Sequence, residues 1–411
     1  MYVLPLLFIA TVAANLLKNY IPFLEYFDDF LAVSLFTLAI LNILYFEAIK
    51  KKSVVRKLDI IIISVIILLF VYVGVMNLNP KFKNTPVLQL YTLFAELKFI
   101  MIYWGGSIVF LNSSLNKIKK IYFVKQIKYI TYLFIILCYI SFILDLKFSF
   151  MQHFEERFGI TSVAYGFEHP AQFAVVLIAF TVMNIITNYF YYNKLSYLYA
   201  VFSFPLMLTA GRNASIAFLA CLILILFFIK RFKRIPVIFY IIIAVMFVTI
   251  SWQRIVDQFL TDNTQARGLL MRTAFKIASD YFPLGSGLGT FGSNASKLNY
   301  SQLYYEYGLS NVWGLSKEYP AFITDSYWAM VIAEMGAIGI LIIIFLIFLL
   351  GKNITIDIKE IKSNKLLFFI LYIYLIITSP VDSIFTSNSL AVLMISTIFF
   401  VRIGQSCNSM K

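Results

Sequence analysis

Residues 50–76 read KKKSVVRKLDIIIISVIILLFVYVGVM, a block of five cations followed by nineteen almost wholly apolar residues. A helix needs about 20 mostly apolar residues to cross a bilayer, and Lys and Arg gather on the cytoplasmic side of such a helix. The stretch therefore reads as a transmembrane helix leaving the cytoplasm. The same alternation recurs along the chain. Basic gaps at Lys50–Lys57, Lys117–Lys128, Lys194, Lys230–Arg234, Lys352–Lys365 and the Arg402/Lys411 tail hold 21 of the 34 Lys and Arg residues, and the intervening gaps hold 14 of the 20 acids. Counting apolar runs on this rule gives about twelve spans: 3–17, 30–46, 58–76, 87–111, 128–144, 169–188, 195–208, 213–229, 236–252, 326–350, 366–379 and 384–401. The expected fold is an all-α polytopic membrane domain over residues 1–411 with both termini cytoplasmic. One outward gap, 253–325 between the ninth and tenth spans, is far longer than the rest and predicts a large extracytoplasmic loop.

At 61% hydrophobic and 13% charged residues, the chain lies outside soluble compositions. The net charge of +14 is distributed over membrane ends, so it reads as topology and contact with anionic lipid of the bilayer. It does not form a stripe on a soluble module, and no nucleic-acid partner is expected. Residues 1–17 lack a basic segment ahead of their apolar stretch and read as a first span, not a cleaved signal. Cys138 and Cys221 fall in apolar runs and Cys407 in the tail, so no disulfide is expected. His153 and His169 are too far apart, and too poorly supported by other ligands, for a metal site; no metal or cofactor is expected.

The outward gaps hold the residues that could carry chemistry. Arg212 follows the turn Thr209-Ala210-Gly211 and opens a span. A cation at a helix N-terminus does not stabilise the helix. It suits either a phosphate bound by guanidinium and free amides or an arginine snorkelling to lipid headgroups. In 267–282, Leu270, Ala274, Ile277, Ala278 and Tyr281 share an apolar helix face opposite Arg272, Lys276, Ser279 and Asp280. Arg267 falls on the apolar side, which calls for an anionic partner there, a bridge to Asp262 or a frayed first turn. Gly285-Ser286-Gly287-Leu288-Gly289 lacks the context of a nucleotide-binding loop; it is a structural turn or a backbone able to approach a ligand closely. Asp325 is either an N-cap or an outward carboxylate able to act as general base. Glu96, Lys98 and Glu334 lie inside spans, where each needs a partner.

Four stretches together resemble the O-antigen polymerase and O-antigen ligase superfamily of bacterial surface-polysaccharide enzymes. They are Arg157-Phe158-Gly159 through Glu168-His169-Pro170-Ala171; Leu208-Thr209-Ala210-Gly211-Arg212-Asn213-Ala214-Ser215; Arg267 through Pro283-Leu284-Gly285-Ser286-Gly287-Leu288-Gly289-Thr290-Phe291; and Asp325-Ser326 ahead of Gly336-Ala337-Ile338-Gly339. Ligases of the superfamily carry His at the place of Asp325, so the resemblance leans to a polymerase. The similarity runs over roughly residues 150–345.

The resemblance implies glycan transfer at the outer face of the inner membrane. The donor would be an undecaprenyl-pyrophosphate-linked oligosaccharide and the acceptor a second lipid-linked repeat unit, with a chain-length regulator protein as an implied partner. Arg157, Arg212 and Arg267 would hold the pyrophosphate, and Gly285, Gly287 and Gly289 would help to bind substrate. Asp325 would take the acceptor proton, with Glu168 or His169 as second choice. A single inverting displacement is expected. The long loop would cover the site, and Trp313, Tyr304 and Tyr305 would stack on sugars. Two other functions stay open: ligation of finished glycan to lipid A core or protein, and transport of lipid-linked sugars using Glu96, Lys98 and Glu334.

Overall fold

A computed structural model describes residues 3–48, 55–76, 84–111, 117–157, 159–192, 195–231, 266–359 and 366–408, with isolated positions 245, 249 and 256. In chain order the helices are α1 (Val3–Leu17), a 3-10 turn (Pro22–Tyr26), α2 (Phe27–Ala48), α3 (Lys57–Met76), α4 (Pro86–Leu111), α5 (Lys117–Phe148), α6 (Pro170–Tyr192), α7 (Leu198–Ala210) and α8 (Asn213–Arg231). After these come α9 (Ala266–Asp280), α10 (Asn294–Leu298), α11 (Leu303–Glu306), α12 (Tyr327–Asp357), α13 (Leu366–Thr378) and α14 (Leu390–Asn408). The β-branched runs of α3 favour strand in water; in hydrocarbon, a lone segment satisfies its backbone only as a helix.

Among the described residues, six helices are long and apolar enough to cross a membrane, and shorter apolar helices of 10–17 residues accompany them at α1, α7, α8, α13 and α14. The expected ninth span, 236–252, lies outside the described residues. The all-α expectation needs one correction. His153–Arg157 (β1) and Ile160–Val163 (β2) form a small antiparallel hairpin. Phe154, Thr161 and Val163 supply the aromatic and β-branched content that a strand favours.

The centre of the bundle is α4, packed on α2 and α14, and α6, packed on α5, α7 and α14. Both are buried along most of their length, whereas α2 and α5 expose theirs as a rim facing lipid. Two clusters of charge at the span ends are paired, as the cost of an isolated charge in hydrocarbon demands. Lys98 of α4 reaches Asp28 at 2.6 Å and Asp29 at 2.5 Å at the start of α2. Arg56 bridges Asp59 and Asp357, 2.7 and 2.6 Å away, and donates to Asn353, joining α3 to α12.

Contacts between connecting segments fall into two sets. One end of the bundle joins Lys18 to Glu168, His169 to Arg212, Ser383 to Thr324 and Asn388 to Glu25. The other joins Arg56 to Asp357, Lys128 to Tyr192 and Gln405 to Asp357. Every one of these pairs links gaps that the charge pattern assigned to the same face.

Residues 266–326, expected as a loop, are folded. Leu270, Ala274 and Ile277 of α9 meet Phe291, Leu303, Tyr304, Leu309, Leu315 and Ile323 in a core of their own, closed below by Ala329 and Ala333 of α12. The faces foreseen for α9 are the faces observed: Arg272, Lys276, Ser279 and Asp280 are exposed.

Candidate functional site

Arg267 stands in the first turn of α9, and its Nε and Nη2 both donate to one oxygen of Asp325, Oδ2, at 3.0 and 2.6 Å. The anionic partner that its place on the apolar face called for is therefore Asp325. Asp325 does not cap α12. Ser326 does, accepting from Ala329 N at 3.4 Å, which leaves the Asp325 carboxylate to turn toward α9. Among the described residues its second oxygen, Oδ1, makes no hydrogen bond.

Burial opposes the charge on Arg267, but Asp325 and, after it, Asp382 and Glu155 hold the guanidinium above its ordinary range. One arginine thus feels three carboxylates, drawn from β1, from the entrance of α12 and from the α13–α14 connection, and touches the second of them. Asp382 and Glu155 were not singled out in the sequence. Both sit in short polar gaps where nothing in the local pattern separates a site acid from a solvated one; only the fold brings them to Arg267.

Arg212 opens α8, its carbonyl accepting from Ile216 N at 2.8 Å. Gly211 ends α7 with φ +62°, a left-handed turn that reverses the chain between the two helices. The Arg212 guanidinium lies against His169, with Nη2 2.8 Å from Nδ1 and 2.6 Å from Nε2. His169 caps α6: its carbonyl accepts from Gln172 N at 3.0 Å, its Nδ1 from Ala171 N at 3.3 Å, and Pro170 occupies the first helical position. The N-terminal ends of α6 and α8 therefore converge, and each carries partial positive charge.

The glycine-rich stretch is placed elsewhere. Gly285 N donates to Tyr281 O at 2.9 Å, Gly287 N to Glu334 O at 3.0 Å, and Gly289 N to the Glu334 carboxyl at 2.9 Å. That carboxyl also accepts from Phe291 N and Ser293 Oγ, each at 2.8 Å. The amides of Gly285, Gly287 and Gly289 are thus engaged within the protein. They form a seam between α9 and a break in α12, and Glu334 finds in it the partner its buried position requires. Tyr72 of α3 spans the seam, its hydroxyl 2.9 Å from Leu284 O and 2.5 Å from Met335 O. Tyr72→Phe removes the donor from both carbonyls and is expected to cost about 1–2 kcal/mol. A thermal melt in detergent that matched wild type would show the hydroxyl to be dispensable.

Of the remaining candidates, Glu168 pairs with Lys18 at 2.5 Å and accepts from Gln172. Burial raises the Glu168 carboxyl, but Lys18, with help from Gln172 and Lys297, holds the group below its ordinary range. Arg157 ends β1, and its side chain lies outside the described residues. Tyr304 is fully buried, stacks on Phe291 and accepts from Gly292 N at 2.8 Å, so it is core and not a sugar platform. Of the three residues a transporter would use, Lys98 and Glu334 are tied into fixed pairs, and Glu96, fully buried, stands near the Tyr327 hydroxyl. No cluster of His, Cys, Asp and Glu able to hold a metal occurs among the described residues.

Residues 195–344 match the family model described as O-antigen ligase. The matched segment contains Arg212, Arg267, Asp325, the glycine seam and Gly336; His169, Glu155 and Asp382 lie outside it. Comparison with curated proteins gives no match.

Proposed function

With the O-antigen ligase match over residues 195–344 as premise, we propose that the protein is a polysaccharide polymerase. It joins oligosaccharide repeat units carried on undecaprenyl pyrophosphate at the outer face of the bacterial inner membrane. The match supports glycan transfer of the O-antigen ligase and polymerase type. The observation that carries the finer reading is the Arg267–Asp325 pair, with Asp325 in the place where ligases of the superfamily have histidine.

The reaction breaks the bond between the anomeric carbon and the pyrophosphate and forms one from that carbon to an acceptor hydroxyl. The leaving pyrophosphate keeps the electron pair. Arg212 and Arg267, aided by the helix ends at α6 and α8, stabilise the charge that grows on it through charge-assisted contacts. Asp325, gripped by Arg267 through Oδ2, offers Oδ1 to the acceptor hydroxyl and takes its proton. Attack from the side opposite the leaving group inverts the anomeric centre. Asp382, whose charge acts on Arg267, is the second acid able to accept a proton. A chain-length regulator protein is part of the proposed setting.

Ligation is the second reading, favoured by the description of the matching family. The gel profile of surface and lipid-linked glycans from cells lacking the protein separates the two. Single repeat units at the surface without a ladder are expected. Full polymer stranded on lipid pyrophosphate would make the protein a ligase, and repeat units trapped on the cytoplasmic side would make it a transporter.

A further inference from the structure

Trp313 and Tyr319 lie face to face, with ring centroids 5.2 Å apart and planes 27° from parallel. Even so, 69% of Trp313 and 49% of Tyr319 stay exposed. Large aromatic rings are ordinarily the area a fold hides first. This stack is no part of the core of 266–326, which is built from residues such as Leu309, Leu315 and Ile323. It stands on the outside of that core, backed edge-on by Phe322 at 5.2 Å.

The backing joins it to the site. Phe322 N donates to Gly314 O at 2.8 Å, and Asp325 N donates to Phe322 O at 3.2 Å. The turn that presents the aromatic stack is therefore the turn that delivers Asp325. Its chain neighbours are polar: Asn311, Lys317 and Glu318, within two residues of one ring or the other in sequence, are exposed. Charges of both signs there disfavour immersion in hydrocarbon. They suit a ligand with an apolar face and a hydroxylated edge.

A pyranose is such a ligand. Its C–H-rich face is complementary to the electron-rich face of an indole, and its hydroxyls suit polar neighbours. We infer that the Trp313–Tyr319 stack is a saccharide subsite, which holds a pyranose ring of the glycan beside the carboxylate where transfer occurs. The inference rests on the proposed glycan transfer and adds to it a second point of grip, independent of the pyrophosphate.

The test uses the full-length protein in nanodiscs. The probe is oligosaccharide released by mild acid from the producing strain's own surface glycan and labelled at its reducing end, with binding followed by fluorescence anisotropy. Trp313→Ala and Tyr319→Ala are each expected to weaken binding about tenfold or more, the scale on which an exposed aromatic anchor counts. Trp313→Tyr keeps a flat ring and is expected to recover most of the affinity. Both alanine variants should melt as wild type does, since the rings lie outside the core. Arg267→Ala should bind the probe normally, because the probe carries no pyrophosphate.

Unchanged affinity in Trp313→Ala would overturn the subsite. So would equal weakening by Arg267→Ala and Trp313→Ala, which would place the glycan at the arginines. If Arg267→Ala kept full glycan transfer, the polymerase mechanism would fall while the affinity at Trp313 was still read directly.

Discussion

An Arg267→Ala protein is expected to extend glycan about a hundred- to a thousand-fold more slowly than wild type, the usual cost of removing one fixed donor from a developing anion. The loss has two sources. The pyrophosphate forfeits a guanidinium at the moment its charge grows, and Asp325 forfeits the group that aims it. Arg267→Lys keeps the charge without the fork and is expected to fall between. Asp325→Asn removes the proton acceptor but leaves the pyrophosphate grip, so turnover should fall while donor affinity holds. Arg212→Ala should resemble Arg267→Ala, because it removes the second cation and its hold on His169. In the double variant Arg267→Ala/Asp325→Asn the losses should be far from additive, since the two side chains act as one unit. Chain extension is read from lipid-linked substrate in proteoliposomes, with a thermal melt of each variant as the control on folding. Polymer of wild-type length and rate from Arg267→Ala, with the same melt, would remove the pyrophosphate clamp from the mechanism.

Much of this was open to sequence because hydrocarbon is a demanding solvent. A backbone with no water to bond must form helices, so the apolar runs located the long described helices, although α5 begins at Lys117 and α14 covers Leu390–Asn408 where spans 128–144 and 384–401 were expected. The amphipathic helix at 267–282 was legible for a similar reason: its two faces meet different surroundings, and Arg267 stood out by lying on the wrong one. What the sequence hid was pairing across long separations. Nothing near Asp382 or Glu155 shows that the charge of either will act on Arg267. Nothing near Glu168 shows that Lys18, at the far end of α1, will claim it. The hairpin at 153–163 was missed because short strands outside the membrane carry no periodic signal long enough to read. The glycines were ambiguous for a physical reason as well, since a backbone free to approach a phosphate is equally free to approach another backbone.

That ambiguity sets the second large effect. Gly336 breaks α12 at φ +58° and ψ −162°, a conformation that is in effect closed to residues with a Cβ, and adopting it costs about 1–3 kcal/mol. A Cβ there would also lie 2.4 Å from Gly285 N and 2.5 Å from Pro283 O. Both are backbone atoms of the seam, held by hydrogen bonds, and they cannot rotate away as a side chain would. Overpacking of this kind adds about 1–3 kcal/mol. Gly336→Ala is therefore expected to destabilise the protein by about 3 kcal/mol or more. Gly74→Ala, whose added methyl meets nothing within 4 Å, should melt as wild type does or slightly higher. The effect should reach activity even in molecules that stay folded. The seam fixes the C-terminal end of α9 to the middle of α12, while Arg267 stands at the start of α9 and Asp325 at the entrance of α12. Shifting the seam slides one helix against the other and opens the fork that Arg267 places on Oδ2. At a temperature where Gly336→Ala is still folded, the expected loss is in turnover more than in binding of glycan at Trp313. A Gly336→Ala protein that melted with wild type and extended glycan at the wild-type rate would mean that the seam does not register the two helices.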